Sequence, residues 1–450
     1  MKFSAQQLAD LCQGTLLRDG DGENCQFDSR LLKSNEWFLV LQGVRDGHDF
    51  LNMAANKSCA GAIGQRMPSD WKLGFVQVED SLSAFQRLAH QVRLQYSGLV
   101  IGITGSAGKT TTRALISSVL AENGSVHQTA GNFNNHIGVP KTITDSQGNE
   151  DFWVLEMGMN ALGEIDQLQK IAEPNIRIIT NIGAAHVEGC GSIEGVARAK
   201  GELFAGAREG DICCVNADDF RVSALPIPKG AQIVKYGRQS DCDIRLLTWS
   251  IEGWNTLVEI QTPKGIFTSS IPVPGEFMAI NALAATAVGL SAGLTLTQIS
   301  KGLQNYEAVG MRMRLEKMGS HQFINDAYNA NLISMTAALK SLAVQPHLHQ
   351  IALLGDMLEM GDAEDEAHRQ VIELGLNLNV TMGLVGPRFH KAYVALQALG
   401  KNLGNVQWLT NTSTEMAEAF VLEATPSIVL LKGSRGMKME QILQTFKNNF

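Results

Sequence analysis

The stretch GITGSAGKTTT, residues 102–112, follows the apolar run LVI (99–101) and precedes a segment with helical character. A glycine-rich turn between a strand and a helix directs backbone N–H groups and the positive end of the helix to one position, which suits a phosphate. Lys109 is then placed for the β- and γ-phosphates of a nucleotide, and the Thr110 hydroxyl for Mg²⁺. The alternative is a tight turn with an incidental lysine, since Ile103 replaces the first glycine of the strict pattern G-x-x-x-x-G-K-[ST]. The strand before the loop and the helix after it favour nucleotide binding.

The composition of the 450 residues limits the class of protein. Single cores stop growing near ~250–300 residues, so two or three domains are expected. A net charge of −8 argues against a nucleic-acid partner, which a basic face would bind. The beginning of the chain lacks a signal-peptide pattern, and no apolar run approaches the ~20 residues of a membrane span. The seven cysteines show no CxxC spacing, so we expect a cytoplasmic, reduced protein without membrane insertion.

Short apolar runs alternate with helical patterns along the chain. In the central part they are FWVLEMG (152–158), IRIITNIG (176–183) and DICCVNAD (211–218). This alternation predicts an α/β fold with parallel sheets and helices on both faces. A linker near Gly310 precedes a further α/β unit. The predicted domains are residues 1–82, 83–310 and 311–450.

Two later segments offer metal ligands at strand ends. Glu156 ends the run FWVLEMG, and TNIGAAHVEG (180–189) follows the next strand with Asn181 and His186. Ligands of open α/β sheets bind at this edge, and oxygen-rich coordination suits Mg²⁺. Taken alone, Glu156 is more often an ordinary strand-end carboxylate and His186 an ordinary loop histidine. Their shared position at strand ends beside the glycine loop favours a ligand site instead. Lys200, in the helical stretch GVARAKGELF, taken alone is a solvated helix lysine.

Taken in their order along the chain, these motifs resemble those of the ATP-dependent Mur ligases of peptidoglycan synthesis. The resemblance spans essentially the whole chain and includes TGSAGKTT (104–111), GNFNNHIGVP (131–140), TNIGAAHVEG and ARAKGELF. Four further stretches are similar to the branch of the family that adds D-alanyl-D-alanine. They are FDSRLLKSNEWFLVLQGVRDGHDF (27–50), NDAYNANLISM (325–335), LGDMLEMG (354–361) and LKGSRGMKME (431–440).

The resemblance implies a three-domain α/β protein: a small UDP-sugar-binding domain, a central P-loop ATPase domain with a parallel sheet, and a C-terminal Rossmann-like domain. It implies a monomeric ligase that joins D-alanyl-D-alanine to UDP-N-acetylmuramoyl-tripeptide through an acyl phosphate, with ATP and Mg²⁺. A folylpolyglutamate-type ligase shares the central motifs, but the first domain and NDAYNAN argue against it. A P-loop kinase or switch NTPase does not explain three α/β blocks, and a UDP-sugar-binding module without activity does not need Lys109 or Glu156.

The resemblance also implies residue roles. ATP phosphates would be held by Gly105, Ser106, Ala107, Gly108, Lys109, Thr110 and Thr111. Mg²⁺ would be held by Thr110, Glu156, His186 and a carbamylated Lys200. Asn281 would contact the adenine, Asp326 the ribose and Arg314 the γ-phosphate. The catalytic residues would be Lys109, Glu156, His186, Lys200 and Arg314. The UDP-sugar and peptide would be bound by Ser29, Arg30, His48, Asn134, Asn135, Tyr328 and Asn331.

Two departures from the pattern of the relatives concern single positions. The stretch GEFMAIN (275–281) lacks the histidine and first asparagine of G-x-H-N-x-x-N, although Asn281 is kept. The role of Arg45 stays open between substrate binding and an ordinary surface arginine. Because Arg314 and Asp326 follow the linker, closure of the last domain onto the centre is expected to complete the site.

Overall fold

The computed structural model describes residues 1–345, 349–409, 418–421 and 426–449. Its strands form three separate sheets, of six, nine and six strands. Parallel pairs outnumber antiparallel ones in each sheet, and helices connect many of the parallel strands, so the predicted α/β class is confirmed.

The first sheet is built from the first 77 residues. Its elements, with the helix that follows, are β1 (Lys2–Ser4), α1 (Ala5–Cys12), β2 (Thr15–Arg18), β3 (Asp21–Gln26), β4 (Glu36–Leu39), α2 (Leu51–Asn56), β5 (Gly61–Gly64), β6 (Gly74–Gln77) and α3 (Ser81–Gln95). The strand order is β1-β3-β4-β5-β6-β2, with β3 to β6 parallel and both edge strands antiparallel to their neighbours. Trp37 is fully buried in this sheet and its indole N–H donates to the Phe3 carbonyl at 3.1 Å.

The central sheet has nine strands. Its elements are β7 (Leu99–Thr104), α4 (Lys109–Leu120), β8 (Val126–Gln128), α5 (Gly138–Asp145), β9 (Phe152–Glu156), α6 (Glu164–Ala172), β10 (Ile176–Ile179), α7 (Val187–Cys190), α8 (Ile193–Ala205), β11 (Ile212–Asn216), α9 (Phe220–Ser223), β12 (Gln232–Gly237), β13 (Ile244–Glu252), β14 (Asn255–Thr262), β15 (Gly265–Ile271), α10 (Glu276–Ser291) and α11 (Leu296–Gln304). The strand order is β15-β14-β13-β12-β11-β10-β7-β9-β8. Because β7 is paired in parallel with both β9 and β10, the loops that follow these three strands meet at one edge.

The last sheet follows a connecting segment. Its elements are β16 (Arg314–Met318), β17 (His321–Asp326), α12 (Leu332–Ala343), β18 (His349–Gly355), α13 (Glu364–Asn377), β19 (Thr381–Val385), α14 (Pro387–Ala398), β20 (Val406–Leu409), β21 (Ser427–Lys432) and α15 (Glu440–Asn449). The strand order is β16-β17-β21-β18-β19-β20. Among the described strands of this sheet, only the β16–β17 pair is antiparallel.

The central and last sheets share one apolar core. A continuous cluster of buried side chains includes Leu115 of α4, Leu283 of α10 and Leu339 of α12. The last domain is therefore docked on the central domain in this structure. The domain limit predicted at residue 82 falls at the second residue of α3, and the one at residue 310 falls between α11 and β16. Both stay predictions.

Two further properties concern the helices and the cysteines. Within the part of the chain that the structure describes, no helix has the length and apolar character of a membrane span. All seven cysteines are free, and six of them are buried.

Gly302 sets how closely α11 approaches α4. A Cβ at this position would lie 2.4 Å from the Cα of Val119, and the Ser118 hydroxyl donates to the Gly302 carbonyl at 2.7 Å. An alanine in a helix is ordinarily more stable than a glycine by about 1 kcal/mol. Here Gly302→Ala should instead destabilise the central domain by about 1–3 kcal/mol, because the added methyl meets backbone.

Differential scanning calorimetry of the full chain measures this effect as a lower transition midpoint. Gln304→Ala, at the exposed end of the same helix, serves as the control and should leave the midpoint almost unchanged. A Gly302→Ala midpoint at or above that of the unsubstituted chain would contradict the packing described here.

Candidate active site

The glycine loop between β7 and α4 forms a cradle of backbone amides. Gly105 and Gly108 have φ angles of 155° and 79°, and a Cβ on Gly105 would lie 1.9 Å from the Thr180 hydroxyl oxygen. The Lys109 ammonium folds back and donates to the Gly105 carbonyl at 2.7 Å. Gly108 has no side chain with which to cap α4, so N–H groups of its first turn remain for an anion.

The loop after β10 holds this cradle in place. The backbone N–H of Ser106 donates to the Asn181 carbonyl at 3.0 Å, and that of Ala107 donates to the Asn181 side-chain oxygen at 2.9 Å. The Thr180 hydroxyl donates to the Ala107 carbonyl at 2.7 Å. The cradle is thus fixed before any ligand arrives, as preorganised electrostatic sites require.

Glu156, at the end of β9, lies beside the cradle and is 2% exposed. One carboxylate oxygen accepts from the Thr110 hydroxyl at 2.8 Å, and the other from the Asn134 amide at 2.9 Å. Arg113 lies behind the carboxylate, with Nη1 4.0 Å from Oε2, and donates to the Thr129 carbonyl. The Thr129 hydroxyl in turn accepts from the Glu156 backbone N–H at 2.9 Å. A hydroxyl and a carboxylate at this separation are oxygen donors suited to Mg²⁺.

Lys200 is fully buried in α8, and its amine has no hydrogen-bond partner among the described residues. Burial lowers the pKa of Lys200 well below its usual range, and the nearby Lys109 ammonium lowers it further. Burial, Lys109 and Lys200 together lower the pKa of His186 to about 4, so that imidazole is neutral at ordinary pH. The interpretation of Lys200 as a solvated helix lysine is therefore wrong. A buried amine without a hydrogen-bond partner is costly unless something else satisfies it.

A cavity of about 490 Å³ lies between the central and last domains. From the central domain it is lined by the cradle, Asn134, Asn135, Glu156, His186 and Asn281. From the last domain it is lined by Arg312, Asp326, Tyr328, Asn331 and Lys432. The Asn331 amide donates to the Ser106 carbonyl of the cradle at 3.2 Å, while its oxygen caps α12 at Ser334. The last domain therefore contacts the cradle itself.

Two predicted residues of this cavity are fixed by buried polar partners. Asp326 accepts from Lys432 at 2.6 Å and from the Met313 backbone N–H at 3.1 Å. Asn281 accepts from the Thr112 hydroxyl of α4 at 3.1 Å, and its amide nitrogen is buried without a partner among the described residues. Sequence analysis missed Lys432, although LKGSRGMKME contains it, because only the fold brings the end of β21 beside Asp326.

The structure does not bring Arg314 to the cavity. Arg314 is exposed at the start of the edge strand β16 and shares a strand face with Glu316, which pairs with Lys447 of α15 at 2.6 Å. Arg312 lines the cavity instead, with its guanidinium carbon 3.8 Å above the Tyr328 ring. The segment MRMRLE holds two arginines two residues apart, and only the start of the strand decides which one turns toward the cavity.

The residues predicted in the first domain lie apart from this cavity. Ser29 and Arg30 follow β3, where the Arg30 guanidinium donates to Asp28 at 2.7 Å. His48 follows β4 with Nδ1 2.6 Å from the Asp46 carboxylate. They are at the carboxyl ends of parallel strands, the edge at which α/β sheets bind ligands.

Replacement of the two arginines tests the placement of Arg312. Arg312→Ala should weaken binding of a non-hydrolysable ATP analogue about tenfold, as expected for a lost charge-assisted hydrogen bond. Arg314→Ala is the matched control and should change the dissociation constant less than about twofold, because an exposed charge contributes little. Isothermal titration calorimetry with Mg²⁺ present measures both, and a larger loss for Arg314→Ala would contradict the geometry.

Comparisons with known proteins cover the whole chain. Two family models match, the Mur ligase middle domain over residues 103–289 and the Mur ligase glutamate ligase domain over residues 312–435. The UDP-N-acetylmuramoyl-tripeptide–D-alanyl-D-alanine ligase of Escherichia coli is 34% identical, covering 100% of this chain and 99% of the relative. The protein of that name from Bacillus subtilis is also 34% identical, over 99% of this chain and 98% of its own length.

Solved structures agree with these relatives. A crystal structure of MurF from Acinetobacter baumannii superimposes with a TM-score of 0.91 at 28% identity, covering 100% of this chain and 99% of that one. MurF from Thermotoga maritima, solved in complex with ADP, has the same fold, with a TM-score of 0.83 at 24% identity over 95% of this chain and 97% of that one. With its matched domains and full-length relatives, this chain belongs to the Mur ligase family.

Proposed function

We propose that this chain is the cytoplasmic, ATP-dependent ligase that joins D-alanyl-D-alanine to UDP-N-acetylmuramoyl-tripeptide in peptidoglycan precursor synthesis. Relatives of that name share 34% of their residues with it over their full length. The structural observation that carries the proposal is the convergence of Lys109, Glu156 and Arg312 on one cavity between two domains. Two cations and a carboxylate that can hold a metal suit a reaction that brings anionic oxygens close together.

The proposed reaction has two steps. A carboxylate oxygen of the tripeptide attacks the γ-phosphorus of ATP, the bond to the β-phosphate oxygen breaks, and an acyl phosphate and ADP form. The amine of D-alanyl-D-alanine then attacks the acyl carbon, inorganic phosphate leaves, and the nitrogen loses a proton. Both steps depend on position and charge, and neither needs an enzyme nucleophile.

The residues around the cavity divide this work. The amides of the cradle and Lys109 hold the phosphates, and Arg312 reaches the transferred group from the last domain. Thr110 and Glu156 are placed to hold Mg²⁺, which when bound screens the charge of the phosphate oxygens. Asp326 and Asn281 are assigned to the ribose and the base, and Asn134 and Asn135 to the peptide. Docking of the last domain excludes water from the acyl phosphate.

Lys200 and His186 fit a second metal position only if the lysine is modified. An ammonium repels a cation, whereas a carbamate on the lysine nitrogen carries anionic oxygens. Burial lowers the pKa of Lys200 and so favours the neutral amine, the form that adds CO₂, and its nitrogen has no competing partner among the described residues. His186, neutral and lining the cavity, would supply the nitrogen ligand.

Phosphate release from ATP tests the proposed function directly. Release should require UDP-N-acetylmuramoyl-tripeptide and D-alanyl-D-alanine together, and mass spectrometry should find the pentapeptide product. Omission of either substrate is the control. Release that is unchanged without D-alanyl-D-alanine would favour a different acceptor or a simple ATPase.

Lys109→Ala and Glu156→Ala should each lower turnover by about 10²–10³, because each removes a preorganised charge from the transferring phosphoryl group or its metal. The matched controls are Lys229→Ala and Glu209→Ala, which remove exposed charges of the same central domain. Steady-state assays on folded variants measure the effect. Activity within tenfold of the unsubstituted enzyme for either cavity variant would remove that residue from the site.

Lys200→Ala should be inactive and should regain part of its activity with added short-chain carboxylates, which replace the anionic oxygens of a carbamate. Lys229→Ala should show no response to the same carboxylates. Circular dichroism establishes that both variants are folded. Normal activity of Lys200→Ala without additives would show that the buried amine has no part in the reaction.

A further inference from the structure

The segment LGDMLEMG, residues 354–361, leaves β18 and takes no part in the mechanism above, yet its backbone is fixed. The N–H of Met357 donates to the His368 ring at 3.0 Å, and that of Leu358 donates to the Ser434 hydroxyl at 2.8 Å. Met357 and Met360 are buried on either side. The segment therefore presents the residues between them in one conformation.

Glu359 stands at the point of this segment that faces the central domain. Its φ of 62° lies in the left-handed region, which side chains other than glycine and asparagine adopt rarely. Such a conformation persists where the surrounding structure imposes it. Here it directs Glu359 toward His186, whose φ is also 62°.

The two side chains meet across the domain interface. Nδ1 of His186 is 3.6 Å from Oε2 of Glu359. That separation is about 0.4 Å longer than the usual N–H···O limit. The separation lies within ion-pair range, and the Glu359 side chain is 65% exposed, so it is free to rotate in solvent. The two segments also approach each other two residues further on, since a Cβ built on Gly361 would lie 3.7 Å from Cγ of Glu188.

We propose that Glu359 is a positioning residue for His186: its carboxylate accepts the Nδ1–H of the imidazole and leaves Nε2 as the nitrogen with a free lone pair. This inference rests on the proposed function, in which His186 is a metal ligand. Metal-binding histidines generally donate their other ring N–H to a carboxylate or carbonyl, which fixes the tautomer and the orientation of the ring.

The position of Glu359 adds a consequence. Glu359 belongs to the last domain and His186 to the central domain, so the histidine is oriented only while the two are docked. The last domain thus supplies Arg312 to the phosphates and also orders a ligand that lines the same cavity. LGDMLEMG then has a role in the reaction rather than in the fold alone.

Nitrogen NMR of ¹⁵N-histidine-labelled, full-length protein tests the contact without turnover. The His186 resonances are those lost in His186→Gln. In the unsubstituted protein they should report Nδ1 protonated and Nε2 unprotonated. Glu359→Ala should shift the ring toward the Nε2–H tautomer, and Glu359→Gln, which keeps an acceptor, should shift it less. Asp362→Ala removes an exposed carboxylate three residues away and is the matched control.

The second measurement is the Mg²⁺ concentration that gives half-maximal ligase activity. It should rise about tenfold or more in Glu359→Ala, by a smaller factor in Glu359→Gln, and not in Asp362→Ala. An unchanged tautomer in Glu359→Ala, or an unchanged Mg²⁺ requirement, overturns the proposal. Failure of the proposed function gives a different result: the unsubstituted protein would show no phosphate release that depends on both substrates. The NMR comparison would still decide whether Glu359 contacts His186.

Discussion

A carboxylate that attacks a triphosphate brings together groups that repel one another, and this repulsion is the constraint on which the rest of the structure depends. The central domain supplies the amide cradle and Lys109, but it also places the Glu156 carboxylate beside them. The last domain supplies Arg312 and Lys432 to the same cavity. In the proposed reaction, the cations near the reacting oxygens therefore come from two separate domains.

Domain docking follows from this constraint. The apolar core is continuous from α4 and α10 into α12, and the Asn331 amide contacts the Ser106 carbonyl of the cradle. Burial of apolar surface provides most of the favourable free energy of such an interface, and the polar contacts fix its register. The cavity exists only in this docked arrangement, which limits the access of water to a reactive acyl phosphate.

Local patterns predicted the parts of the site that lie within one element. The glycine loop and Glu156 follow apolar strands, and parallel strands place their carboxyl ends at one edge, so their meeting could be expected from the sequence. The burial of Lys200 could not, because an isolated lysine in a helix carries no sign of which face packs inward. The choice between Arg312 and Arg314 failed for a related reason: it depends on the residue at which β16 begins.

Sequence patterns could not predict contacts between segments that are distant along the chain. Lys432 reaches Asp326 only once the last domain has folded. Glu359 faces His186 only once that domain is also docked on the central one. Resemblance to motifs such as LGDMLEMG therefore singled out these segments, and the fold showed what each residue contacts.

The central claim is that one cavity, shared by the central and last domains, holds the triphosphate. A crystal structure with a non-hydrolysable ATP analogue and Mg²⁺ tests it most directly. The account predicts phosphates on the amides of residues 105–110, the metal between Thr110 and Glu156, and the Arg312 guanidinium on the γ-phosphate. A nucleotide bound with its phosphates away from Lys109, or with the last domain contributing no contact to them, would contradict it.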